Sequence, residues 1–223
     1  MAPVMALARF RLAAYARSHR AVQPLIGLLP LLAILYATPV PAGAELGAAA
    51  DSAAILVPVF AWAARGLLDI EPDEQRMIFR TAVGRSEAVS GLLAACAYDL
   101  ALAAVAMGAL VLRLSGAPGL AVLLAGGCLH LLSVIAGVVL GALTSRPILP
   151  SPAVSSMVLI FGYLAMLLIS LSGVRWLGVP LMAWMRDAHH CVLLANLPLL
   201  TVQSLLWPAL GLAAYAYLRR TRP

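Results

Sequence analysis

The sequence predicts an all-α integral membrane protein, forming a single transmembrane domain over residues 1–223. Composition and hydropathy support this prediction. Hydrophobic residues make up 63% of the 223 residues and charged residues 11%, and the mean hydropathy is +0.99. Soluble domains are about half apolar and a quarter charged, so a water-soluble fold is excluded.

The apolar residues fall into six runs, most of them near the roughly 20 residues that a helix needs to cross a bilayer core. The second run is the shortest and has the least defined start. The predicted spans are residues 22–40, 53–68, 88–112, 120–144, 154–172 and 193–218.

Arginine residues at the ends of these runs predict the orientation. Inner loops carry an excess of basic residues. With the amino terminus inside, twelve arginines face inward and three outward, which predicts a multi-pass protein of the cell membrane with both termini cytoplasmic. The inward set is Arg9, Arg11, Arg17, Arg20, Arg65, Arg76, Arg80, Arg85, Arg146, Arg219, Arg220 and Arg222, and the outward set is Arg113, Arg175 and Arg186.

Several function classes are excluded by residue type. All fifteen basic residues are arginine, so a phosphate-loop lysine, a Schiff-base lysine and a Ser-Lys dyad are absent from this chain. The net charge is +6, but the arginines are scattered at the ends of the apolar runs, where the positive-inside bias places them, so nucleic-acid binding is not indicated. Cys96, Cys128 and Cys191 lack the CxxC spacing of a zinc module.

The leader, residues 1–20, places Arg9, Arg17 and Arg20 on one side of a helical wheel. This pattern favours a helix lying in the inner membrane interface over a disordered basic tail.

The first span has an alternative interpretation as a cleaved signal peptide, because Ala42 and Ala44 form an A-x-A pattern in "ATPVPAGAEL" (37–46). A signal peptide has a short basic region, whereas more than twenty residues precede this apolar run. A membrane span is therefore favoured.

The connection between spans two and three predicts a short cytoplasmic helix over residues 72–83. Pro72 suits a first helical position, and Gly84 marks the end. The helix is amphipathic, so its apolar side requires a docking partner or the lipid interface. The apolar arc is Ile78, Phe79, Ala82 and Val83, and the polar arc is Asp73, Arg76 and Arg80.

The stretches "EPDEQRMIFRTAVGRSEAVSGLLAA" (71–95) and "GALTSRPILPSPAVSSMVLIFGYLAM" (141–166) resemble the permease subunits of ATP-binding-cassette (ABC) transporters of the type-2 exporter class. The order of parts is also similar: a basic interfacial leader, two spans, a coupling helix and four more spans. The prolines at 147, 150 and 152 do not favour a second regular coupling helix in the next inward connection.

The resemblance implies a transport subunit without catalytic residues of its own. A separate ABC ATPase subunit would bind ATP and Mg²⁺ and grip the helix, because this chain has no G-x-x-x-x-G-K-[ST] loop. A second permease, identical or paralogous, would complete a pathway in the lipid membrane for a hydrophobic or amphipathic small molecule, peptide or lipid. The implied coupling residues are Glu74, Arg76, Ile78, Phe79, Arg80, Val83 and Gly84.

Polar residues inside the spans are candidate pathway residues, since such side chains usually face protein or a water-filled cavity. Asp99 and His130 lie at depths that differ by roughly 7 Å, so either a pair or a substrate-facing polar spot is predicted. Cys96 and Cys128 lie beside them. A metal site is not expected, because Cys128 and His130, two residues apart, do not share a helix face. Asn196 and Gln203 in the last span complete the candidates.

The last outward connection, residues 173–191, has the aromatic composition of a membrane interface. The resemblance implies a re-entrant pair of helices that narrows the outer mouth, with Trp176, Trp184 and Arg186 as the gate. His189 and His190 suggest a pH or metal response, or an ordinary surface role.

Two other classes remain as alternatives. A coupling or assembly subunit, or an importer component, would also bind a motor, and "AARG" (63–66) has a faint likeness to a motif of such components. A membrane-embedded enzyme is opposed by the absence of HExxH and G-x-S-x-G sequences.

Overall fold

The computed structural model describes residues 2–84, 86–172 and 174–221, and these residues are 83% helical with no strands. Nine α-helices occur within them, with short 3₁₀ turns at His19–Ala21 and Arg175–Leu177. The helices are α1 (Ala2–Arg17), α2 (Val22–Leu35), α3 (Glu45–Leu68), α4 (Asp73–Val83), α5 (Ser86–Arg113), α6 (Leu120–Leu143), α7 (Pro152–Leu171), α8 (Leu181–His189) and α9 (Leu193–Thr221).

Five of these helices, α3, α5, α6, α7 and α9, are long and apolar enough to cross a membrane. The α1 and α2 helices are bent by 83° against each other, and they add a sixth crossing if the bent pair is counted as one broken span. The predicted all-α, multi-pass membrane architecture is confirmed at this level.

The first predicted span, residues 22–40, is not one continuous helix. The α2 helix has 14 residues and ends at Leu35, so it is roughly 21 Å long, against a bilayer core of about 30 Å. Pro39 and Pro41 follow closely, and proline does not continue a helix. The extended segment instead contacts the end of α5, where the Val40 amide donates to the Arg113 carbonyl at 2.8 Å.

The α3 helix is the centre of the molecule. It begins at Glu45, earlier than the predicted 53, and is the most buried of the five candidate spans. Helices α1, α2 and α5 pack mainly against one side of it, and α6, α7 and α8 against the other, while α9 packs on α6 and α8. Alanine-rich faces allow this close packing, because small residues let helix backbones approach each other.

The contact between α3 and α6 is the most extensive helix–helix contact in the described part of the chain. A Cβ atom added at Gly137 would lie 2.5 Å from the Phe60 Cβ, and one added at Gly141 would lie 2.5 Å from the Ala61 carbonyl oxygen. The two glycines are four residues apart, the spacing by which membrane helices bring their backbones together. This contact fixes the core around which the remaining helices pack.

Both ends of the bundle are closed by polar contacts. At one end, called the basic end here, Arg65 Nη1 donates to Ser156 Oγ at 2.8 Å, and the Arg146 amide donates to Asp69 Oδ1 at 2.6 Å. The connection 144–151 at this end forms turns rather than a helix. At the opposite end, His189 Nε2 lies 3.1 Å from both carboxylate oxygens of Asp51.

Candidate functional site

The α4 helix lies at the basic end between α3 and α5. Pro72 precedes its first residue, and Gly84 follows its last with a φ of +60°. Glycine adopts this left-handed region without the steric cost that a Cβ atom adds. The Gly84 amide still donates to the Arg80 carbonyl at 2.9 Å, so the chain leaves the helix sharply and enters α5.

A buried ion-pair network fixes the base of α4. Its members are Arg11, Glu71, Glu87, Ser90 and Arg219, called the Arg11 network here. Arg11 Nε and Nη2 donate to the two carboxylate oxygens of Glu71 at 2.7 and 2.5 Å. Arg11 also donates to Glu87 Oε1 at 2.5 Å and to Ser90 Oγ at 2.9 Å.

Glu87 extends the network to α9, because its second carboxylate oxygen accepts a hydrogen bond from Arg219. Arg11 and both glutamates are buried, with side-chain exposures of 4 to 6%. The two arginines balance the two carboxylates, and buried charges are tolerated when they are paired and hydrogen-bonded in this way. The network therefore joins α1, the start of α4, α5 and α9.

One face of α4 is attached to this base. The Phe79 ring packs edge-on against Phe10 of α1, with centroids 6.0 Å apart, and the Arg11 guanidinium lies 5.9 Å from the Phe79 centroid. Arg76 is buried and donates to the carbonyls of Leu68 and Glu71 at 3.3 and 3.4 Å. The sequence analysis placed Arg76 on the polar arc with Asp73 and Arg80, and among the coupling residues. In the structure Arg76 lies inward, where it is 8% exposed and binds backbone carbonyls at and just after the end of α3.

The other face of α4 is open. Met77 and Ile78 are 59% and 64% exposed, and Glu74, Arg80 and Ala82 are exposed around them. Of the predicted coupling residues, Glu74, Ile78 and Arg80 therefore lie outward, while Arg76 and Phe79 hold the helix in place. The side chain of Val83 lies outside the described part of the structure.

Asp99 and His130 are not joined as a pair. His130 Nδ1–H donates to the Gly126 carbonyl at 2.9 Å, and its Nε2 lies 3.2 Å from Ser52 Oγ. Asp99 is fully buried in α5, and neither of its carboxylate oxygens has a hydrogen-bond partner among the described residues. Of the two alternatives, a direct pair of Asp99 and His130 is not present among the described residues, because α3 and the α6 backbone supply the partners of His130.

The two remaining pathway candidates lie on α9 at different depths. Asn196 is near the start of the helix, where its amide donates to Asp187 Oδ2 at 2.8 Å. Gln203 is half-buried two turns further on. Asn196 therefore belongs to the polar contacts of the opposite end, and the four predicted pathway residues do not form one cluster.

The three predicted gate residues lie in the segment before α9, and they differ in how far they are exposed. Trp176 is 62% exposed. Trp184 is completely buried in α8 and donates from Nε1 to Ser204 Oγ of α9 at 3.2 Å, so it anchors α8 to α9. Arg186 is exposed, with Nε 3.7 Å from Asp187 Oδ1.

Metal-ligating residues do not cluster in the described ranges, where no group of three or more His, Cys, Asp or Glu side chains is placed to hold an ion. Cys128 Sγ lies 3.8 Å from Thr201 Oγ1.

The Arg11 network is the feature that sequence reasoning missed. The helical wheel placed Arg9, Arg17 and Arg20 together and left Arg11 off that basic side, which was a signal for a different role. Glu71 and Glu87 flank α4 in the sequence and offered two carboxylates for it. These two glutamates pair with Arg11, which lies 60 and 76 residues before them in the sequence. Periodicity within one helix does not reveal contacts over such separations.

No protein family, curated protein or solved structure matches this chain.

Proposed function

We propose that this chain is the permease subunit of an ATP-driven transporter of the ABC type-2 exporter class, with α4 as its coupling helix to a separate ATPase subunit. The observation that carries the proposal is the two-sided arrangement of α4. Its outer face presents Met77 and Ile78, while its inner face and base are fixed through Phe79 and the Arg11 network.

The outer face is suited to a protein partner. Two adjacent exposed apolar side chains, with Glu74 and Arg80 beside them, form a small apolar centre with a polar rim. Protein interfaces have this arrangement, in which buried anchors provide most of the affinity. The partner would be the ATPase, which would bind ATP and Mg²⁺.

The inner face would transmit the movement of that partner. A force on α4 would reach α1 through Phe79 and Phe10, and α5 and α9 through Glu87. Nucleotide-dependent closure of the ATPase could then bias the bundle between two arrangements, which is how coupled conformational change operates. A second permease would complete the pathway, and the cargo class expected from the resemblance is hydrophobic or amphipathic.

The proposal is tested by co-purification from the native membrane. The double variant Met77→Asp/Ile78→Asp places two charges in the apolar centre of the outer face and should abolish recovery of a nucleotide-binding ATPase. Because both residues are exposed, the bundle itself should remain folded, with an unchanged elution volume in detergent.

The matched control is Met77→Leu/Ile78→Leu, which keeps the face apolar and should retain the ATPase. Equal ATPase recovery with the aspartate variant would refute α4 as the docking helix. Recovery of an ATPase without any transport would favour the coupling or assembly subunit instead.

A further inference from the structure

A cleft with a basic chamber lies at the basic end, beside α4 but separate from it. The chamber has a volume of about 450 Å³ and is lined by residues from the α1–α2 junction, the end of α3 and the connection 144–151. Three guanidinium groups, those of Arg20, Arg65 and Arg146, line it together with the single carboxylate of Asp69. Its formal charge is therefore positive.

The chamber is built by contacts that hold the arginines in place. Arg20 Nη1 donates to the Asp69 carbonyl at 3.0 Å. Arg65 bridges from α3 to the start of α7 by donating to Ser156 Oγ, and its Nε lies 3.6 Å from Asp69 Oδ2. Burial raises the pKa of the Asp69 carboxyl, and the Arg146 amide and the Arg65 guanidinium oppose this shift.

An apolar slot adjoins the chamber, because the two cavities share lining residues. The slot has a volume of about 330 Å³, and Pro58 and Val59 of α3, Gly27 of α2 and Ile160 of α7 line it. Trp62 and Arg65 line both cavities. Trp62 and Ile160 are 42% and 55% exposed, so the slot opens at the side of the bundle, among the helices that cross the membrane.

We propose that this cleft binds one anionic phospholipid, with the phosphate headgroup among Arg20, Arg65 and Arg146 and an acyl chain in the slot past Trp62. Arginine matches phosphate oxygens with paired N–H donors, and basic pockets between membrane helices are known sites for acidic headgroups. Each volume lies within the range of roughly 300–1,000 Å³ typical of small-molecule sites. The inference does not depend on the partner of α4.

The cleft has a basic chamber at one end and an apolar slot at the other, and this arrangement favours an anionic phospholipid over other ligands. A free phosphate would use only the chamber, and a hydrocarbon would use only the slot. A lipid with a zwitterionic headgroup would bring a cation close to three arginines, which like-charge repulsion disfavours. An anionic phospholipid matches both parts in a single molecule.

The test uses the fluorescence of Trp62 in the full chain, reconstituted into phosphatidylcholine vesicles that contain a minor fraction of lipid with brominated acyl chains. Bromine quenches tryptophan on contact, and the difference between the wild type and Trp62→Phe isolates the Trp62 signal. Brominated phosphatidylglycerol should quench this signal more strongly than brominated phosphatidylcholine at the same fraction.

Removing the charge should remove the preference. In Arg20→Gln/Arg146→Gln the ratio of quenching by the two lipids should fall to one, whereas Arg20→Lys/Arg146→Lys, which keeps both charges, should retain part of it. Arg9→Gln, an exposed arginine outside the cleft, is the matched control and should keep the wild-type ratio.

Three results would overturn the proposal. Equal quenching by the two lipids in the wild type would indicate only the ordinary lipid annulus. A preference that persists in Arg20→Gln/Arg146→Gln would place the anionic lipid elsewhere. Equal quenching by the two lipids, together with saturable binding of inorganic phosphate that Arg20→Gln/Arg146→Gln abolishes, would identify the chamber as a site for a free anion.

Discussion

Arg11 illustrates how one residue determines the geometry of the proposed coupling site. Its guanidinium forms a two-point contact with Glu71 and also reaches Glu87 and Ser90 on α5. An arginine paired in this way is not replaceable by lysine, which lacks the planar fork of donors. The position of α4 therefore depends on a side chain that lies 60 residues before Glu71 in the sequence.

Arg11→Ala should destabilise the protein strongly. Removing one partner of a buried ion pair costs about 3–5 kcal/mol, because the other charge is left buried and uncompensated. Here Glu71 would lose its ion-pair partner, and Glu87 would keep only Arg219. We expect a clear fall in the midpoint of thermal unfolding of the purified protein in detergent.

Two further variants make this prediction specific. Arg9→Ala removes an exposed arginine of the same helix and should leave the midpoint near that of the wild type. Arg11→Met/Glu71→Gln also removes the charge of the Glu71 carboxylate that Arg11→Ala leaves unpaired. Its unfolding midpoint should therefore lie between those of Arg11→Ala and the wild type. Equal midpoints for Arg11→Ala and Arg9→Ala would contradict the structural role assigned to the Arg11 network.

At the scale of the elements, the segment between α7 and α9 closes the end of the bundle opposite α4. Trp184 anchors α8 to α9, and the Met182 amide donates to Ser170 Oγ of α7 at 2.9 Å. Cys191 lies at the joint between α8 and α9, where it is exposed. The other two cysteines, Cys96 and Cys128, are only partly exposed within α5 and α6.

Cys191 should react with a membrane-impermeant thiol reagent in sealed right-side-out vesicles. The proposed orientation places α8 outside and α4 inside, as the distribution of arginine predicts. Labelling is read from the mass of the purified chain, and Cys191→Ser is the control that should lose it. Reaction only after the vesicles are opened would reverse the orientation and place α4 outside, away from a cytoplasmic ATPase.

Sequence reasoning predicts long helices better than short ones in this chain. The spans predicted at 88–112 and 120–144 lie within two residues of the bounds of α5 (Ser86–Arg113) and α6 (Leu120–Leu143). Long apolar runs define such helices by their length and composition alone. The prediction for 22–40 was too long, since it counted apolar residues beyond Leu35 and gave the prolines too little weight. The burial of Arg76 was not predicted, because helical periodicity does not reveal its hydrogen bonds to the Leu68 and Glu71 carbonyls.

At the scale of the whole molecule, α3 lies between two packing groups, one formed mainly by α1, α2 and α5 and the other by α6 to α9. The basic end carries both proposed sites. The outer face of α4 lies on one side of the α3 end, and the lipid cleft lies between that end and α7. A partner that moves α4 would also act on the Arg11 network. The ion pair between Glu87 and Arg219 joins this network to α9.

The most direct test of the coupling proposal is site-specific photocrosslinking in the native membrane. A photoreactive amino acid at position 78, on the exposed face of α4, should give an adduct containing a nucleotide-binding ATPase. The same probe at position 112, where Leu112 is 84% exposed near the opposite end of α5, should not. An adduct of position 78 with lipid alone, or an ATPase adduct of equal yield from position 112, would contradict the account.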